Sequence, residues 1–287
     1  MLNYAHPEVL VETQWLAEQL DNPNVCLIEG SINPKSYKNG HIPGAISWNV
    51  FSELMLSNDR TNFDPAVMER LLSRSGISNN STIIVCGEHP AIGTAIFWLL
   101  KVFGHKDVRV LNGDPQKWVA EGGLLTTEQI KVTQTQYSVQ TINTDLRVMY
   151  EDVRQAMERQ DCVLIDVRTP QEYSGEWFNV KPPEGDERTG HIPGAIHIPF
   201  ELTLNENGTF RSVEELQALY HSKGITPDKN AIAYCAVGAR SAHTCFVLKY
   251  LLGYPNVRNY YGSWNEWSRF PDAPIEKNSD RLTQTTS

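Results

Sequence analysis

The sequence predicts an α/β fold built twice in tandem, each copy a parallel β-sheet flanked by helices on both faces. Three observations lead there. The stretch Gly40-His41-Ile42-Pro43-Gly44-Ala45-Ile46 recurs letter for letter as Gly190-His191-Ile192-Pro193-Gly194-Ala195-Ile196. In each copy, short apolar runs of strand length alternate with segments of helical period, the pattern of parallel pairing through crossover helices. The chain has 287 residues, too many for one ordinary domain and right for two of roughly 140 each.

The repeat reaches beyond the seven letters. Cys26-Leu27-Ile28-Glu29 precedes the first copy and Val163-Leu164-Ile165-Asp166 the second, and Tyr37 answers to Tyr173. Cys86, Gly104, Val108, Gly113 and Trp118 return as Cys235, Gly253, Val257, Gly262 and Trp267, each 149 positions on. The expected organisation is domain 1 over 8–125, a linker over 126–146, domain 2 over 147–275 and a polar tail over 276–287. Segment 126–144 is rich in Thr and Gln and has no 3.6 period, so it reads as a partly extended connection.

In the second copy, 151–159 has helical spacing and 162–167 is an apolar run of strand length. Segment 212–222 is a helix with Ser212 as N-cap and Glu215 completing a capping box. A buried strand at 231–234 leads to a largely apolar helix at 241–252, stopped by Gly253. A strand at 257–260 and a short helix at 263–270 follow. The acidic stretch 184–188 has no counterpart in the first copy and reads as a solvated loop.

Composition narrows the function classes. The hydrophobic fraction of 40% supports a packed core and excludes disorder over most of the chain. Lys+Arg number 25 against 34 Asp+Glu, a net charge of −9, the wrong balance for a nucleic-acid binder. No apolar run is long enough to span a membrane, and no secretory signal pattern opens the chain, so a cytoplasmic, monomeric protein is expected. The five cysteines are widely spaced without CxxC, which argues against both a disulfide framework and a zinc site. No metal or organic cofactor is expected.

The chemistry points to Tyr234-Cys235-Ala236-Val237-Gly238-Ala239-Arg240-Ser241. A buried strand ends at a cysteine, a tight loop follows, and a helix begins at its far side. Loops at the carboxyl ends of parallel strands carry ligands, and such a loop aims backbone N–H groups at an anion. A helix N-terminus and a nearby arginine acidify a thiol, making Cys235 the candidate nucleophile. Arg240 is expected to support the thiolate and to pair with an anionic substrate.

These residues resemble the rhodanese superfamily, in particular its tandem-domain thiosulfate sulfurtransferases. Asp166-Val167-Arg168 with Glu172-Tyr173, and Gly253-Tyr254-Pro255-Asn256-Val257 with Gly262-Ser263-Trp264, extend the likeness over nearly the whole chain. The resemblance implies a persulfide on Cys235, its terminal sulfur held by the backbone from Ala236 through Val237, Gly238, Ala239 and Arg240 to Ser241. Asp166 and Arg168 support the site. The implied partners are small molecules: thiosulfate as donor, and a thiophilic acceptor such as cyanide or a thiol.

The first copy departs from this pattern. Ala91 stands at the arginine position, Glu88 brings a negative charge expected to raise the thiol pKa of Cys86, and Pro90 lacks an amide donor, so that loop reads as silent. His41 and His191 occupy matching places in both copies and read as structural. Cys26, Cys162, Cys245 and most tryptophans read as packing, with Trp264 a candidate to face a cleft. Rival functions are a cysteine phosphatase, whose loop has five residues between Cys and Arg where this one has four, a 3-mercaptopyruvate sulfurtransferase, whose loop is typically Gly-Ser-Gly-Val-Thr, and a non-catalytic sulfur-binding module.

Overall fold

A computed structural model describes residues 3–57 and 60–277. The chain forms two compact units, one of Met1–Thr144 with Leu204–Ser212, the other of Asp145–Thr203 with the chain from Val213 on. Each unit holds one five-stranded sheet whose paired strands all run parallel.

In the first unit the elements are β1 (Leu10–Val11), α1 (Thr13–Gln19), β2 (Val25–Ser31), α2 (Pro34–Asn39), β3 (Ala45–Asn49), α3 (Pro65–Arg74), β4 (Thr82–Gly87), α4 (Pro90–Val102), β5 (Val108–Leu111) and α5 (Pro115–Ala120). The second unit repeats them as β6 (Arg147–Val148), α6 (Tyr150–Ala156), β7 (Cys162–Asp166), α7 (Pro170–Ser174), β8 (Ile196–His197), α8 (Val213–His221), β9 (Asn230–Tyr234), α9 (Ala239–Phe246), β10 (Val257–Tyr260) and α10 (Ser263–Trp267). The strand orders, β1-β5-β4-β2-β3 and β6-β10-β9-β7-β8, are the same. In both, the strand that brings up the repeated cysteine, β4 with Cys86 and β9 just before Cys235, lies mid-sheet. Ile83, Ile84 and Val85 of β4 and Ile232, Ala233 and Tyr234 of β9 are fully buried, the two-sided burial of a central parallel strand.

Helix ends differ from the sequence reading in instructive ways. The helix expected from residue 151 begins at Tyr150 and stops at Ala156, because Glu158 and Arg159 close tighter turns onto Gln155 and Ala156. The helix after Cys235 starts at Ala239, two residues early, because Gly238 turns left-handed (φ +94°) and starts it directly from the loop. It continues past Phe246 as a wider π-turn over Val247–Leu251.

The Thr/Gln-rich segment is extended but not free. Thr126 pairs with His41, Thr135 N–H donates to Ser73 O, and the buried Tyr137 hydroxyl meets His105 at 2.9 Å. It therefore lies along the first unit. The short stretch Leu204–Ser212 also packs there, with Phe210 N–H donating to Asn112 Oδ1 at 3.0 Å. Of the expected tail, Glu276 pairs with His191 through both backbone hydrogen bonds, so the order extends further than composition indicated. Residues 278–287 lie outside the described residues. In the acidic stretch, Arg188 is an anchor: its guanidinium donates to Phe270 O and, at 2.7 Å, to Ala273 O.

Candidate active site

β9 delivers Cys235 to the carboxyl end of the second sheet, where the residue is only 1% exposed. The chain then turns tightly from Cys235 to Arg240 and enters α9. The turn depends on Gly238. At its φ of +94° an added Cβ would sit 2.6 Å from the Tyr261 carbonyl oxygen, so only glycine fits.

Peptide planarity explains the polarity of this loop. In a trans peptide the N–H points opposite to the C=O, so a carbonyl held outward sends the following amide inward. Trp264 N–H holds Cys235 O at 2.9 Å and Asn265 N–H holds Ala236 O at 3.0 Å, both from α10. Asn259 Nδ2 holds Gly238 O at 3.0 Å, alongside the first helical bond from Ala242. Inward, Gly238 N–H lies 3.1 Å from Cys235 Sγ, and the Val237 and Ser241 amides also favour its thiolate. Two hydroxyls flank it, Ser241 Oγ at 3.6 Å and Ser263 Oγ at 4.0 Å. Ser263 also accepts the Cys235 N–H at 3.0 Å and adopts a left-handed φ of +52°.

Arg240 sits differently from expectation. Its two terminal nitrogens bond the two oxygens of Glu172 at 2.7 and 2.8 Å, so part of its donor set is committed to a carboxylate of its own unit. Glu172 is fully buried and caps α7 in a reciprocal box with Thr169. Burial opposes its charge, but the Arg240 bonds and charge and the Thr169 amide hold its pKa below the ordinary glutamate value. At Cys235, burial likewise pushes the thiol up. The Arg240 charge, the Ser241 hydroxyl and the Ser241 and Val237 amides more than reverse it, leaving the thiol below the usual 9.0.

Asp166 and Arg168 lie one shell further out. They form a fully buried ion pair at 2.6 Å, and Arg168 also donates to Gly190 O at 2.7 Å. The Arg168 guanidinium lies over the Trp264 ring at 4.6 Å and the Tyr234 ring at 5.6 Å, bracing the residue before Cys235 and the helix behind the loop. Trp264 itself is fully buried and donates to Arg188 O, so it faces no cleft.

The first unit turns differently and lacks the equipment: at the place of Gly238 stands His89, with an extended backbone (φ −147°). Cys86 is buried in the same place, but Ala91 replaces Arg240, Ile92 replaces Ser241, Val110 replaces Asn259 and Asp114 replaces Ser263. Ile92 fills the loop: a Cβ at Gly30 or Gly87 would lie 2.6 or 2.7 Å from its side chain. Burial, then the charges of Glu29 and Asp114, push the Cys86 thiol well above its ordinary value. Glu88 is not the agent. Its carboxylate accepts the Ile32 N–H at 2.8 Å and serves the turn after β2.

The repeated histidines are structural in geometry. His41 Nδ1 donates to Tyr37 O and His191 Nδ1 to Tyr173 O, both at 2.8 Å, each ring stacked on that tyrosine. Cys26 and Cys162 are half-buried, Cys245 is buried, and burial raises all three thiols. Among the described residues, no group of three or more His, Cys, Asp or Glu side chains gathers as metal ligands, and no helix is long and apolar enough to cross a membrane.

Sequence reasoning missed the roles of Glu172, Asn259 and Ser263. Glu172 left a local signal, the Thr169-x-x-Glu172 capping pattern, and nothing in it foretold the arginine.

The chain is 43% identical over 295 aligned positions to the sulfur carrier protein TtuD of Thermus thermophilus, covering 97% of this chain and all of that one. It is 39% identical to a Saccharopolyspora erythraea protein provisionally named a thiosulfate sulfurtransferase, over 94% of this chain and 96% of the relative. Among solved structures, the enzyme EanB with a cysteine persulfide and ergothioneine superimposes with a TM-score of 0.86 at 25% identity, over 96% of this chain and 71% of that one. An anaerobic ergothioneine biosynthesis enzyme from Chlorobium limicola, with trimethyl histidine bound, gives 0.84 at 25% identity over the same shares. The model of the rhodanese-like domain matches residues 12–121 and again 149–270, and the chain belongs to the rhodanese family, with two copies of its domain.

Proposed function

We propose that the chain is a sulfurtransferase that moves sulfane sulfur from thiosulfate to a thiophilic acceptor through a persulfide on Cys235. The observation that carries this reading is the Gly238 amide 3.1 Å from Cys235 Sγ at the start of α9, with the nearby Arg240 charge and Ser241 hydroxyl holding the thiol below its ordinary value. The names of TtuD and of the Saccharopolyspora erythraea relative support sulfur handling, and the persulfide of EanB supports the intermediate.

The chemistry balances on one thiolate. Cys235 Sγ attacks the outer sulfur of thiosulfate, the S–S bond of the donor breaks, and sulfite leaves with the bonding electron pair. The cysteine is left as Cys–S–S⁻. An acceptor such as cyanide then attacks the terminal sulfur, leaves as thiocyanate and returns the thiolate. Two displacements on one nucleophile replace a direct transfer between two anions. The loop amides and the start of α9 stabilise the anionic persulfide without reorganising. Asp166 and Arg168 act through Tyr234 and the 190 loop as supports, and Arg240 acts through its charge.

The test is mass spectrometry after incubation with thiosulfate. One added sulfur on Cys235, removed by cyanide with release of thiocyanate, is the expected result. No sulfur taken from thiosulfate but sulfur taken from 3-mercaptopyruvate would reassign the donor. No sulfur on Cys235 from either would leave a non-catalytic module.

A further inference from the structure

Asn259 stands in β10 with its side chain fully buried, between the loop and the start of α9. A buried side-chain amide needs partners for both ends, and here both belong to the sulfur loop. Nδ2 donates to Gly238 O at 3.0 Å. That carbonyl only accepts, so the amide orientation is fixed and Oδ1 faces the other way. There it accepts the Ser241 hydroxyl at 2.7 Å, and Ser241 Oγ is the same atom that lies 3.6 Å from Cys235 Sγ.

We propose that Asn259 is a positioning residue that aims the Ser241 hydroxyl at the sulfur of Cys235. The inference rests on the reading of Cys235 as the sulfur-bearing thiol. The hydroxyl carries one proton. With the sulfur neutral, the proton is shared with Asn259 Oδ1; when a thiolate or persulfide forms, the same rotamer lets it turn to the anion. Without Asn259 the hydroxyl loses the acceptor that holds its rotamer beside the sulfur and is free to turn to another. A serine in the first turn of a helix reaches back to a carbonyl three or four residues earlier, here Gly238 O or Val237 O. Gly238 O would have just lost a donor, so Ser241 would turn to it and away from the sulfur.

The chain contains its own control. The repeat puts Val110 at the place of Asn259, with the same burial along the strand, and Ile92 at the place of Ser241. The amide and the hydroxyl are absent together from the loop whose thiol is not acidified. Valine at this position is therefore compatible with a sheet of this topology.

The experiment is the pH profile of Cys235 alkylation by iodoacetamide in the full chain, followed by mass spectrometry, for wild type, Asn259→Val, Asn259→Ala, Ser241→Ala and Ser241→Ala/Asn259→Val. The expected result is an upward shift of about one pH unit in either Asn259 variant, a tenfold slower reaction at a fixed pH below both inflections. In the Ser241→Ala background, Asn259→Val adds little, because the two act as one unit. A full additional shift in that background, or wild-type profiles in both folded Asn259 variants, overturns the proposal. Thermal melting identifies a variant that fails to fold, and Asn259→Ala then carries the test. If wild-type Cys235 itself shows no acidic inflection and takes up no sulfur, the functional reading fails first, and that outcome is distinct from a failure confined to Asn259.

Discussion

Arg240 and Glu172 form a two-point ion pair, Nη1 to Oε2 at 2.7 Å and Nη2 to Oε1 at 2.8 Å, with the carboxylate fully buried and the arginine side chain 18% exposed. The pair joins the sulfur loop to the capping box of α7, so the cation that acidifies Cys235 is held in place by a group from a different strand–helix connection. Its charge still acts on the nearby thiol, while one N–H of each terminal nitrogen is committed to the carboxylate.

Arg240→Ala therefore does two separable things. It strands the Glu172 carboxylate in the interior, a loss of about 3 kcal/mol or more for a broken buried pair, and it removes the charge that lowers the Cys235 pKa. Adding Glu172→Gln to Arg240→Ala should restore much of the melting temperature without restoring thiol acidity. Measuring both variants by melting and by alkylation checks this, and recovery of the two properties together would show that the arginine acts on the thiol only through folding.

The two repeated cysteines should titrate in opposite directions. Cys235 is depressed in the folded state, so its alkylation should rise with pH through an inflection below 9.0. Its thiolate contributes stability that is complete above the unfolded thiol pKa and lost as pH falls through the folded value. Cys86 is raised, so its contribution is present below the unfolded value and lost as pH rises, and it should resist alkylation in the native protein. Residue-resolved alkylation followed by mass spectrometry reads both. Comparable labelling of Cys86 near neutral pH would contradict the buried, charge-repelled site described for it.

The same asymmetry fixes the expected effect on turnover. Cys235→Ser should abolish thiosulfate:cyanide sulfur transfer, since the loop amides and Arg240 converge on that sulfur alone. Cys86→Ser should leave most of the rate, because Ile92 already fills its loop. A similar loss in both variants would undo the assignment of the chemistry to the second copy.

The duplication, the parallel sheets and the loop at Cys235 were legible because each has a local signature: a repeated heptapeptide, apolar runs of strand length, and a cysteine between a strand and a helix. The partners of that loop were not. Glu172, Asn259 and Ser263 lie 63 residues before and 24 and 28 residues after Cys235 in sequence, and their side chains meet only because β7, β9 and β10 are neighbours in the sheet. Periodicity indicates which face a residue takes, not which hydrogen bond it makes across strands. Arg240 shows the consequence. Its charge was expected to favour the thiolate, while the carboxylate that meets its terminal nitrogens was invisible without the fold.

The Arg240–Glu172 pair bears directly on the donor. Ala236, Val237 and Ala239 bring no charge, so the loop's one cation is balanced by Glu172. Thiosulfate carries two negative charges and must approach a thiolate, and each close cation in a partly desolvated site is worth about 1–3 kcal/mol as a charge-assisted hydrogen bond. Thiosulfate should therefore be used but bound weakly. Ala236→Arg adds a cation beside the nucleophile with no carboxylate assigned to it, while the backbone there stays held by Asn265 N–H on the Ala236 carbonyl. The expected result is a KM for thiosulfate lowered about tenfold, or roughly 1.4 kcal/mol, with a smaller gain at high salt as the added charge is screened. Steady-state kinetics of wild type and Ala236→Arg at low and high ionic strength measure it. A KM that ignores the new arginine would mean that the donor's charge is met elsewhere, or that the sulfur reaches Cys235 from a donor other than thiosulfate.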